Sequence, residues 1–140
     1  MQIKAKKLTP EAQLPHYVHE GDAGLELYAS EATTIAPGKR ASVPTGIVLE
    51  IPLGFVGLVW DKSGLSHTYG IKTIGGVIDA GYRGEIKIGV MNLSSMSYTF
   101  EKGHKVAQLL IQKVENVEMI EVKELSESER GEKGFGSSGK

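Results

Sequence analysis

Gly75-Gly76-Val77-Ile78-Asp79-Ala80-Gly81-Tyr82-Arg83-Gly84-Glu85-Ile86-Lys87-Ile88-Gly89-Val90-Met91-Asn92 carries two signals end to end. In its second half Ile86, Ile88 and Val90 fall on one face, the period of two that marks a half-buried strand. Its first half places a carboxylate, an aromatic ring and a guanidinium among four glycines. A hairpin turn needs only a turn-forming pair, so this glycine content points to backbone that bends sharply or approaches another molecule closely. A carboxylate held at such a place suits water activation or a polar contact.

The pattern extends outward from this run. Glycine supplies 18 of the 140 residues, roughly twice its average usage, and it separates short apolar runs. Strands are expected at Ala41 to Ile51, Gly54 to Trp60, Glu85 to Asn92, Lys105 to Val114 and Val117 to Val122. Pro37-Gly38, Pro52-Leu53-Gly54 and Glu101-Lys102-Gly103-His104 punctuate them as turns. No long amphipathic helix and no internal repeat is visible. Many short strands with Gly/Pro turns indicate an all-β sandwich or barrel.

Length and composition narrow the function. A chain of 140 residues suits one domain with a sizeable core. A formal net charge of -1 exerts no general pull on nucleic acid or an anionic membrane, so neither is an expected partner. Any anionic ligand must be met by local cations. The absence of cysteine excludes disulfides, thiolate metal sites and cysteine nucleophiles, and it fits a reducing cytoplasm. Lys4, Lys6 and Lys7 are followed by polar residues and Pro10, not by the apolar run of a signal peptide. A boundary is expected near Leu125. Residues 126–140 contain one large apolar residue, Phe135, too little to order a segment by burial. The expected organisation is a β-barrel core over 1–125 and a flexible tail over 126–140.

Several short constellations carry polar chemistry. Asp22-Ala23-Gly24-Leu25-Glu26-Leu27 has two carboxylates four apart, either solvated acids at a strand entry or a metal-water contact. Asp61-Lys62-Ser63-Gly64-Leu65-Ser66 is either a polar strand-end turn or a small phosphate nest of cation, hydroxyl and amides. Gln108 lies inside the apolar run Lys105 to Ile111. A buried amide needs partners, so it bonds neighbouring backbone or points at a ligand. His16, His19, His67 and His104 show no metal-ligand spacing, and no G-x-S-x-G elbow is present. Residues 134–140 match both G-x-x-x-x-G-K and G-x-G-x-x-G, but the strand and helix those motifs require are missing. Arg130, Phe135 and the following glycines and serines nevertheless offer groups that could wrap a nucleotide phosphate.

Taken in order, these elements resemble the trimeric dUTPase family, the deoxyuridine triphosphate nucleotidohydrolases. Five segments carry the likeness: DAGLEL (22–27), DKSGLS (61–66), GGVIDAGYRGE (75–85), GHKVAQL (103–109) and RGEKGFGSSG (130–139). Each is weak alone; five in order over nearly the whole chain is a specific signal. The resemblance implies a jelly-roll-like β-barrel and a homotrimer whose three active sites are each built from all three chains. It implies hydrolysis of dUTP to dUMP and pyrophosphate, with Mg²⁺ on the triphosphate. By this likeness Asp79 deprotonates the water that attacks the α-phosphorus, and Gln108 helps place that water or the phosphate. Tyr82 lies under the deoxyribose, and the hairpin including Thr73, Gly76, Val77 and Ile78 reads uracil through backbone groups. Lys62, Ser63 and Gly64 meet the phosphates. Arg130 and the amides of Ser137 and Ser138 close on the γ end, Phe135 stacks on uracil, and Gly136 beside them also binds the substrate.

Two positions depart from the family's pattern. Glu26 stands where the family usually has Asp, which shifts the carboxylate of a water-mediated metal contact by about one bond length. Lys62 stands where the family usually has Arg, keeping the charge and losing the planar fork. Two other readings share the barrel: a dCTP deaminase-like enzyme, possibly bifunctional, and a non-catalytic nucleotide-binding protein. Asp79, Tyr82 and the complete tail favour the hydrolase.

Overall fold

The computed structural model describes residues 1–132 and 134. It contains eleven strands and one short helix among these residues. In chain order they are β1 (Lys4–Lys7), β2 (Leu25–Tyr28), β3 (Thr33–Ile35), β4 (Arg40–Pro44), β5 (Ile47–Glu50), β6 (Phe55–Trp60), α1 (Ser63–Tyr69), β7 (Ile71–Ile74), β8 (Val77–Ile78), β9 (Lys87–Asn92), β10 (Tyr98–Phe100) and β11 (Lys105–Lys113). The expected all-β class holds. No helix among the described residues is long and apolar enough to cross a membrane.

Pairing is antiparallel throughout. β2 pairs with β11, β3 with β10 and β4 with β9. These three pairs nest inside one another along the chain, as when a long hairpin folds over on itself, and this is the logic of a jelly roll. The larger sheets run β2-β11-β6-β8 and β4-β9-β7. Between them lies one core that includes Leu27, Ile35, Val43, Ile47, Phe100 and Leu109, all nearly inaccessible. Ile86, Ile88 and Val90 are buried as their alternation requires, each adding about 1.5–3 kcal/mol of apolar transfer.

Three boundaries differ from expectation. The run Ala41 to Ile51 is cut into β4 and β5 at Thr45-Gly46. Gly46 has φ 67, and a Cβ there would lie 2.9 Å from that of Ala12. The break is then stitched sideways: Thr45 Oγ donates to the Ile86 carbonyl at 2.6 Å, and Gly46 N–H donates to the Glu85 carboxylate at 2.8 Å. Val117 to Val122 forms no strand, and its apolar side chains are exposed. The segment after Asp61 is the helix α1, closed at its C-terminus by Gly70 in the left-handed conformation.

Candidate active site

The hairpin β7–β8 bridges the two larger sheets, because β7 is the edge of one and β8 the edge of the other. Gly75 and Gly76 turn the corner with φ 73 and 109. At Gly76 the close approach is real: its carbonyl accepts from Val59 N–H at 2.8 Å, and a Cβ would lie 2.7 Å from the Val59 carbonyl oxygen. Beside this hairpin runs a small groove of about 200 Å³, lined in part by Trp60, Thr73, Gly76 and Val77.

Past Ile78 the chain opens a larger cleft of about 430 Å³, lined by Val77, Ile78, Asp79, Tyr82, Glu85, Ile86 and Lys87. Tyr82 N–H donates to the Asp79 carbonyl at 3.0 Å. The Arg83 guanidinium donates to the Ala80 and Tyr82 carbonyls at 2.6 and 2.8 Å, closing the turn. Tyr82 Oη donates to the Glu85 carbonyl at 2.9 Å, so its ring folds over Gly84. A Cβ at Gly84 would collide with that ring. These bonds fix backbone and ring while the Asp79 side chain faces the cleft. Among the described residues no hydrogen bond or ion pair engages its carboxylate. Among the described residues it is thus an unengaged carboxylate at the wall of a cleft.

A second polar cluster forms where β2, β11 and β6 lie side by side. Gln108 stands opposite Glu26 on one neighbour and Trp60 on the other. Lys62 Nζ donates to both Glu26 carboxylate oxygens, at 2.6 and 2.7 Å, and Lys105 lies 3.6 Å from the same group. Glu26 is only 9% exposed, so this pairing offsets the cost of burying its charge. Gln108 Nε2 donates to the Asp61 carbonyl at 2.7 Å. Its side chain lies against Gly24, where a Cβ would come within 2.9 Å of the Gln108 Cβ. Of the two alternatives the sequence left open for Gln108, the bond to neighbouring backbone is the one present, whereas Glu26 is a buried, paired acid and not a solvated one. Tyr28, stacked on His16, has its hydroxyl pKa raised by burial, with Lys105 opposing and Glu26 adding.

Asp61 was absent from the sequence-derived site. Its carboxylate accepts from Thr73 N–H at 2.7 Å and Thr73 Oγ at 2.6 Å, and it also pairs with Lys72. Burial opposes ionisation, yet the Lys72 and Thr73 donors outweigh it and hold the carboxyl below its usual range. Immediately after it, Ser63 and Gly64 are exposed, and a Cβ at Gly64 would meet open space.

The two clusters are separate within one chain. Ile78 pairs with Gly57, and Gln108 with Trp60. Asp79 thus lies about four residues along and two strands across from Gln108, roughly 16 Å at the usual strand rise and spacing. Arg130 is exposed. Phe135, Gly136, Ser137 and Ser138, with Lys133, lie outside the described residues. No group of three or more His, Asp or Glu placed to hold a metal ion occurs among the described residues.

Known proteins are similar to this chain in sequence and fold. The dUTPase family model matches residues 10–139. Deoxyuridine 5'-triphosphate nucleotidohydrolases of Mycolicibacterium gilvum (strain PYR-GCK) and Mycobacterium tuberculosis (strain ATCC 25618 / H37Rv) are each 46% identical to the chain over 112 residues, 78% of this chain and 73% of theirs. A mutant dUTPase of Staphylococcus bacteriophage 80alpha, solved with dUpNHpp, superposes with a TM-score of 0.93 at 32% identity. That match covers 99% of this chain and 98% of that one. A mutant dUTPase from phage phi11 of S. aureus, solved to show coordination of a structural Mg(II) ion, gives 0.83 at 26% identity over 89% and 98%. With its nested jelly roll, its glycine-framed Asp79 cleft and a family match along nearly its whole length, the chain belongs to the dUTPase family.

Proposed function

We propose that the chain hydrolyses dUTP to dUMP and pyrophosphate in cytoplasmic homotrimers with shared active sites. The observation that carries this reading is the Asp79 carboxylate, unengaged among the described residues and set on the wall of a cleft beside a rigid, glycine-turned hairpin.

In the proposed reaction Asp79 takes a proton from a water whose oxygen attacks the α-phosphorus. The bond from that phosphorus to the bridging oxygen breaks, and pyrophosphate departs. Such a step depends on positioning and charge stabilisation more than on covalent chemistry. An ordinary carboxylate is a weak base, so the base contributes about 10²–10⁴-fold and nearby charge must supply more. Tyr82, pinned to the Glu85 carbonyl, supports the deoxyribose and leaves no space for a 2′-hydroxyl. The backbone from Thr73 through Ile78, with Gly76 and Val77, reads uracil; cytosine's exchanged amino group would leave those groups unpaired. Ser63 and Gly64 receive the phosphates, with Lys62 beside them. The tail, residues 126–140, completes the site: Arg130, Gly136, Ser137 and Ser138 at the γ end, Phe135 on the base.

Bound Mg²⁺ would supply charge neutralisation on the triphosphate. Glu26 would meet it through water, using lone pairs not occupied by Lys62. Gln108 cannot reach a water held by Asp79 of its own chain across roughly 16 Å. The Gln108 that serves a given Asp79 must come from another copy, which supports shared sites.

The test is an incubation with Mg²⁺ and each of dUTP, dCTP, dTTP and UTP, following pyrophosphate and ammonia. Pyrophosphate from dUTP alone is the expected result. Ammonia from dCTP would establish a deaminase instead, and binding of dUTP without turnover would establish a binding protein.

A further inference from the structure

We infer that Asp61 is a positioning residue that locks the base-reading hairpin to the phosphate-handling strand end, so that one side chain sets uracil selectivity and phosphate geometry together. The inference rests on the proposed dUTP hydrolysis for its substrate, and on four contacts for its geometry. The Asp61 carboxylate accepts from Thr73 N–H at 2.7 Å and Thr73 Oγ at 2.6 Å, and it pairs with Lys72. The Asp61 carbonyl accepts from Gln108 Nε2 at 2.7 Å.

Position in the fold gives these contacts their effect. Asp61 directly follows β6 and directly precedes Lys62, Ser63 and Gly64. Thr73 lies in β7, the edge strand of the other sheet, and leads within three residues to Gly76. Among the described residues β7 pairs only with β9, so its outer edge there has no ladder at Thr73; Asp61 supplies the acceptor. The carboxylate side chain is 19% exposed, which makes these charge-assisted bonds stronger than surface pairs. Beyond the β7–β9 ladder on its inner edge, the hairpin is otherwise held at Gly76 and β8. The Lys62–Glu26 pair fixes the next residue from the opposite side. The Asp61–Ser63 backbone is thereby clamped from three directions, and hairpin movement transmits to it directly. A surface ion pair alone would not touch the hairpin amide or share its backbone with a Gln108 contact.

The experiment compares Asp61→Asn and Asp61→Ala in the full chain, with dUTP and dCTP in Mg²⁺. Asn keeps an acceptor for Thr73 N–H; Ala keeps none. Asp61→Ala is expected to lower the dUTP-over-dCTP ratio of kcat/KM about tenfold or more and to lower kcat for dUTP, while Asp61→Asn stays within about threefold. A folded Asp61→Ala protein of unchanged oligomeric state with an unchanged ratio overturns the inference, whatever its Tm. Should Asp61→Ala not fold, Thr73→Val replaces it and is expected to cost about threefold in the ratio; no change overturns the inference. If the unmodified protein turns over no dUTP, the proposed function fails, and the same variants are judged by calorimetric affinities for dUMP and dCMP. A narrowed uracil preference in Asp61→Ala then supports the role of Asp61, and an unchanged one removes it.

Discussion

At the scale of one residue, the surroundings of Asp79 suit the part given to it in the proposed reaction. Its backbone is held by Tyr82 N–H and by the two-residue strand before it, while its side chain faces the cleft. Replacing it by Asn preserves shape and removes the base. Asp79→Asn is expected to lower kcat for dUTP about 10²–10⁴-fold, with affinity for a non-hydrolysable dUTP analogue kept within about threefold; steady-state kinetics and calorimetry measure the two. An active variant would remove Asp79 from the role of base. Gly76 makes the complementary case for backbone. With φ 109 and the Val59 carbonyl 2.7 Å from any Cβ, Gly76→Ala must strain the hairpin against β6. A loss of about 1–3 kcal/mol is expected by denaturant unfolding, with KM for dUTP rising more than kcat falls.

Among the elements, what was legible in the sequence followed local pattern. Alternation placed Ile86, Ile88 and Val90 inside, because a strand with one buried face must repeat every two residues. Glycine spacing marked the hairpin, because positive φ and close backbone approach leave few other choices. The helix α1 was missed since seven residues with no buried side chain carry no 3.6-residue stripe. Asp61 was missed because its partners, Thr73 in the other sheet and Gln108 far along the chain, reach it only through the tertiary fold, which no local window encodes. Val117 to Val122 erred in the other direction: β-branched residues favour a strand only where a neighbouring ladder exists, and in this chain these residues are exposed. The tail is the element whose role is most directly testable. Deleting residues 126–140 is expected to leave the unfolding midpoint nearly unchanged, since the described residues from 126 on are exposed, and to cut kcat/KM for dUTP about 100-fold by leaving the site open to water. Thermal unfolding, light scattering and kinetics separate these effects. Loss of folding would make the tail structural.

For the whole molecule, the separation of Asp79 from Gln108 becomes a statement about symmetry. If Asp79 and Gln108 act on one substrate as proposed, their separation of roughly 16 Å within a chain requires copies arranged so that each lends one group to its neighbour. A closed ring of identical subunits does this with one interface repeated. Asp79→Asn and Gln108→Ala proteins should each be nearly inactive alone. When the two are refolded together in equal amounts, a shared site regains both groups whenever its hairpin comes from the Gln108→Ala chain and its amide from the Asp79→Asn chain. Random assembly gives that combination in about one site in four, so mixing two inactive proteins should restore about a quarter of the unmodified activity. Sites contained within single chains would restore none, because every chain in the mixture lacks one group. The recovered rate therefore reports the architecture directly, and recovery near zero from well-folded mixed assemblies would rule out sites shared between Asp79 and Gln108 of different copies.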